Sequence, residues 1–189
     1  MRRARLIAGW TGVAGLAWLA GWLHPGHEPS ATPLFLLGPV APFAAQVQWL
    51  RFHAASLRGE TPRALELAES ALALDPRSSA GWERLAAHLL FDLASREREP
   101  ALERRRAFFQ AGLAVLARGA ERAAEPGALE FYRALALIGK AEADPELSQG
   151  GAGELYAEAL AALERAAARG DARAAELQPQ VRKRAADAE

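Results

Sequence analysis

The sequence predicts an all-α protein, and three observations carry that expectation. Of the 189 residues 51% are apolar, but alanine is the commonest of them, with only two Tyr and one Met. Such a composition suits helices packed closely through small side chains and gives little material for a sheet. Val and Ile nowhere alternate over four or more positions. Runs of helical periodicity instead alternate with Gly and Pro stops along most of the chain.

The first element is an apolar leader. "MRRARLIAGWTGVAGLAWLAGWLHPGHEPS" opens with Arg2, Arg3 and Arg5 and then runs from Leu6 to Leu23 without a charge. Eighteen helical residues span roughly 27 Å, enough to cross the hydrocarbon core of a bilayer. Trp18 and Trp22 sit near the far end, where indole rings favour the interface, and His24-Pro25-Gly26 stops the helix. A cleaved signal peptide is the competing reading. The apolar run is longer than such peptides carry, and no small-x-small cleavage site follows it, so residues 6–23 read as an uncleaved signal anchor. No Lys or Arg occurs between the span and Arg51. The arginine asymmetry therefore predicts one pass of the inner (cytoplasmic) membrane, with residues 1–5 inside and the body in the periplasm or outside.

Residues 24–42 read as a Pro- and Gly-rich apolar connector. Within it begins a second apolar run, "LFLLGPVAPFAAQVQWL" (34–50). As a second span this run would return the body to the cytoplasm. Pro33, Pro39 and Pro42 break it early and Gln46 and Gln48 interrupt it late, which argues against a membrane crossing.

From 43 to 170 the pattern predicts three helix pairs. In 43–57, Phe43, Val47, Leu50 and Ala54 form one stripe, with Trp49, Phe52 and Ser56 beside it. Gly59 and Thr61-Pro62 mark a turn and a new start, and Asp75-Pro76 ends the helix that places Ala64, Leu65, Ala68, Ala71 and Leu72 on one face. Ser78 or Ser79 caps the next helix, which carries Trp82, Leu85, Ala86, Leu89 and Leu93. The charged "SREREP" reads as a loop and "ERRR" as ion-paired, solvated surface. Helices follow over 101–119, with Gly119 as the stop and Phe108, Ala111, Ala114 and Ala117 as its small-residue face, then over 125–141 and 154–170. Residues 171–189 form a polar C-terminal helix in which Pro179 is expected to produce a kink or split.

One pair per 34–40 residues is the period of a helical solenoid. The chain resembles the tetratricopeptide repeat family on particular residues. Trp82, Leu85, Ala86 and Leu89 match the spacing of its first helix, with Ala86 where glycine is usual. Ala64, Ala68, Ala71 and Pro76 match the second helix of the preceding unit, with Ala68 where an aromatic is usual. Trp49 looks like that unit's opener, 33 residues before Trp82. The match is good over 49–93 and weakens beyond, where Phe131 or Tyr132 could open the third unit. The resemblance implies a short right-handed solenoid of about three helix pairs, with Trp82 filling the wedge between successive pairs. It also implies a groove lined by first helices, on which Glu83, Arg84, Ala87 and Phe91 would lie, with Arg51 and Ala54 in the unit before.

Composition narrows the function classes. Cys is absent, so no disulfide or thiolate metal site exists. Charge is balanced at 23 positive against 23 negative, and without the three leading arginines the remainder is weakly acidic, a poor partner for nucleic acid. His24, His27 and Glu28 flank Pro25-Gly26, where no helix can hold them in ligand register, and His53 and His88 read as ordinary helix-flank residues. No phosphate-binding loop follows a strand and no acid–base pair stands out, so no catalytic, cofactor or metal residue is assigned, no small-molecule substrate is expected, and an enzyme is not predicted. The sequence points to a membrane-anchored scaffold or assembly factor that holds a protein partner, itself a membrane or periplasmic protein, with lipid contacted through 6–23. The alternative is a structural accessory subunit of a larger membrane complex.

Overall fold

A computed structural model describes Gly38 and Val40 through Ala188. The basic N-terminus, the expected span over 6–23 and most of the connector lie outside the described residues. The chain divides into a unit ending at Gly38 and a second unit from Pro39 to Glu189. That boundary falls four residues before the expected body. Pro42 occupies the first turn of a helix already begun at Ala41, a position where its missing N–H costs nothing.

All regular structure among the described residues is helical. α1 (Ala41–Leu57) and α2 (Thr61–Leu74) form the first antiparallel pair. α3 (Ser79–Ala87), prolonged by a π-helical segment His88–Leu93, pairs with α4 (Leu102–Arg122). α5 (Pro126–Ala143) pairs with α6 (Gly151–Ala168), after a 3₁₀ turn at Pro145–Leu147. α7 (Ala172–Asp187) lies on α6 and touches α5. No helix among the described residues is long and apolar enough to cross a membrane.

The signals at Gly59 and Ser78 act where expected. Gly59 adopts φ +75°, a conformation that side chains rarely adopt, and its N–H reaches the Ser56 carbonyl. Ser78 Oγ accepts from the Gly81 amide and so caps α3. Trp82 is 2% exposed, and its indole N–H donates to the Pro76 carbonyl at 2.9 Å. The aromatic that opens the second pair is thereby bonded to the turn that closes the first.

Four expectations are corrected by the packing. In α1 the expected stripe of Phe43, Leu50 and Ala54 is not the buried one; Ala45, Trp49, Phe52 and Ala55 face the core. Both faces of α1 are apolar, and the two large aromatics have more area to remove from water. Gly119 does not stop α4, which runs on to Arg122. It is a buried contact point, where an added Cβ would come within 2.7 Å of Trp82 Cγ and 2.9 Å of Leu129 Cδ1. Gly112, two turns earlier, likewise lies against Leu90. The close face of α4 is thus Gly112 and Gly119, while Ala111 and Ala114 are exposed. Pro179 does not split α7, which runs through it and is anchored by buried Ala174 and Val181. Finally, "ERRR" is not wholly solvated. Arg105 is buried against Asp144 and Glu146, and Arg96 donates to Asp144 at 2.8 Å from its Nη2.

The third pair opens without a large aromatic. Leu129 is fully buried at the Gly119 contact, whereas Phe131 and Tyr132 are only half-buried. Leu129 of the third pair and Trp82 of the second thus meet at the same glycine of α4.

Candidate functional site

The first helices of the first two pairs, α1 and α3, leave a cleft of about 510 Å³ between them. Its floor is a run of three rings. Trp49 and Phe52 meet edge to face at 5.4 Å, and Phe52 meets the His88 imidazole the same way at 5.1 Å. Arg84, two residues after the buried Trp82 and so on the other side of the helix, projects from α3 so that its guanidinium carbon lies 5.0 Å from the Trp49 ring centre. Such a cation over an indole face is attracted by the ring quadrupole.

The π-helical segment shapes the far wall. Its wide turns close an i to i+5 hydrogen bond from the Ala94 amide to the Leu89 carbonyl at 3.0 Å. This register keeps Leu89, Leu90 and Leu93 in the core while leaving Phe91 43% exposed. Within the same segment His88 Nδ1 lies 2.9 Å from Asp92 Oδ2. The carboxylate favours the tautomer with its proton on Nδ1, which leaves Nε2 as an acceptor in the neutral ring. His88 Nε2 and Ser56 Oγ are both buried without a hydrogen-bond partner among the described residues. Ser, His and Asp therefore line one cleft with no nucleophile–base hydrogen bond between Ser56 and His88. The arrangement offers a flat cation, an aromatic floor and unpaired polar atoms, which are the means of recognising a polypeptide.

The six residues placed on a groove from sequence go to four places. Arg84 and Ala87 line the cleft. Phe91 turns toward α5, where the Lys140 ammonium sits 5.8 Å from its ring centre while donating to the Ala94 carbonyl. Burial depresses the Lys140 pKa, more than neighbouring Asp144 raises it. Glu83 faces α5 and α7. Burial raises its carboxyl above the ordinary value, opposed by Arg173 and aided by Glu125. Tyr132, also raised by burial and then by Glu83, completes that patch with Phe131, over which Arg173 stacks at 4.3 Å. Arg51 and Ala54 are half-buried on α1, outside the cleft lining, and Arg51 feels Arg63 of α2.

Sequence reasoning did not assign Trp49, Phe52, His53, Ser56, His88 or Asp92 to a site. The i, i+4 spacing of His88 and Asp92 was the one signal available for that pair. The rings of α1 could not be placed until its buried face was known. Among the described residues, no group of three or more His, Asp or Glu is placed to hold a metal ion. No protein-family model, curated protein or solved structure matches this chain.

Proposed function

We propose that the chain is a membrane-anchored scaffold whose body, a short solenoid similar to tetratricopeptide repeats, binds a segment of a protein partner. Three successive antiparallel pairs and the buried Trp82 between pairs support the repeat reading. The observation that carries the binding reading is the α1–α3 cleft, in which Arg84 lies over Trp49 while Phe91 remains exposed beyond it. Aromatic and arginine side chains of this kind are the residues that most often dominate protein interfaces. The anchor over 6–23 holds the body at the periplasmic or outer face of the inner membrane, and confinement raises effective concentration, so a modest groove affinity suffices.

The test is co-purification from membranes with tagged full-length chain. Arg84→Glu and Phe91→Ala, both at exposed positions, weaken capture of the partner while leaving the melting temperature unchanged. Unaltered capture by both variants refutes the groove.

A further inference from the structure

A second feature adjoins the cleft and shares Leu50 with it. Six large apolar residues are exposed among the described residues, and four of them belong to α1 and the residue before it: Val40, Phe43, Leu50 and Leu57. Phe43, Leu50 and Leu57 are 65, 72 and 76% exposed and follow one another at intervals of seven, so they form a single line along the helix. Single exposed leucines are ordinary, but an aligned row turned away from the core needs a cover.

We infer that this outer face of α1 lies on the surface of a lipid bilayer, making α1 an interfacial helix that is at once the first helix of the body. Three observations favour lipid as the cover. None of the 23 acidic residues falls between Pro29 and Gly59, so the segment carries only cationic charge, Arg51 and Arg58, toward anionic headgroups. The apolar line is one side chain wide and about 21 Å long, giving on the order of 200 Å², far below the roughly 800 Å² per partner of a standard dimer interface. Only 17 residues separate Leu23 from Ala41, a reach of at most about 60 Å, which keeps α1 near the bilayer to which the leader is tethered. This last argument rests on the anchored reading proposed above. The consequence is that the bilayer would fix the body's orientation and border the cleft, because α1 contributes Trp49 and Phe52 to the cleft from the neighbouring face and Leu50 belongs to both the row and the cleft's rim.

The chain contains no Cys, so a single introduced thiol reports one position. Full-length chain with Leu50→Cys carrying an environment-sensitive fluorophore is reconstituted into vesicles of phosphatidylcholine with phosphatidylglycerol. The label is expected to be quenched by brominated acyl chains and shielded several-fold from aqueous iodide. The same label at Ala175→Cys on exposed α7 shows the reverse. With the label moved to Phe43→Cys, the added changes Leu50→Ser and Leu57→Ser restore iodide access while the chain still floats with the vesicles. A floating chain whose Leu50 label is open to iodide overturns the inference and leaves the anchor standing. A label hidden from both quenchers, or a disulfide between two Leu50→Cys chains, means that protein covers the face and overturns it too. A chain that does not float removes the anchor itself, and this inference with it.

Discussion

Two glycines in helix interiors should respond to the same substitution with opposite signs. Replacing an interior helical Gly by Ala gains about 0.5–1 kcal/mol from backbone entropy and helix propensity. At Gly139 in α5 nothing lies within 4 Å of the added Cβ, so Gly139→Ala should keep that gain. At Gly119 the methyl group would meet Trp82 Cγ at 2.7 Å, Trp82 Cβ at 2.8 Å and Leu129 Cδ1 at 2.9 Å. The two Trp82 atoms are the root of a buried ring bonded at its far end to Pro76, so they cannot swing aside. Overpacking of a filled core costs about 1–3 kcal/mol, and this rigid contact belongs in the upper half of that range. Set against the propensity gain, Gly119→Ala should lose about 1–2 kcal/mol. Thermal unfolding of the detergent-solubilised chain, followed by circular dichroism, would register this as a fall of roughly 2–8 °C, with a small rise for Gly139→Ala. Shrinking the obstacle gives a control: in a Trp82→Leu background the Gly119→Ala penalty should diminish, a coupling of about 1 kcal/mol between touching residues. If Gly119→Ala raises the melting temperature as Gly139→Ala does, the wedge between the pairs is not where it is described.

Other consequences follow from the buried charges. Asp144→Ala leaves buried Arg105 and the neighbouring Arg96 to share Glu146 as their one remaining carboxylate. It should destabilise by about 3 kcal/mol or more in urea unfolding, and a loss below 1 kcal/mol would mean that Glu146 alone satisfies the guanidinium. Glu83 has its carboxyl pKa raised, chiefly by burial, from an ordinary value of 4.5. The folded state therefore binds this proton more tightly than the unfolded chain. Stability assigned to Glu83 is present below the ordinary value and declines as pH rises through the elevated one. Glu83→Gln should accordingly raise the melting temperature at pH 7, with the difference closing when the scan is repeated near pH 3. A difference independent of pH removes the burial argument.

Much of the fold was legible in the sequence because the punctuation is local. Gly59, Asp75-Pro76 and Ser78 act through their own backbone geometry or their own hydroxyl, and no distant residue is needed to place them. Trp82, Leu85, Ala86 and Leu89 were legible because an amphipathic helix has one apolar face and water chooses which side turns inward. Where that condition fails, so does the reading. α1 is apolar on both sides, and only competition for the core assigned Trp49 and Phe52 to the inside and Phe43, Leu50 and Leu57 to the outside.

The cleft followed the same division. Arg84 and Ala87 could be placed on a groove from their spacing relative to Trp82, but Glu83 and Phe91 turned toward α5 once the π-helical register and the third pair were in place. Gly119 reads as a stop in one dimension and proves to be a point of contact in three, because its meaning depends on an indole nearly forty positions away in the chain. Sequence alone fixed the helical class, the number of pairs and most of their ends, all consequences of short-range backbone chemistry. Which apolar face is buried, which arginine loses its water and what lies exposed on α1 were decided by packing, since each is settled by what a residue's distant neighbours leave uncovered.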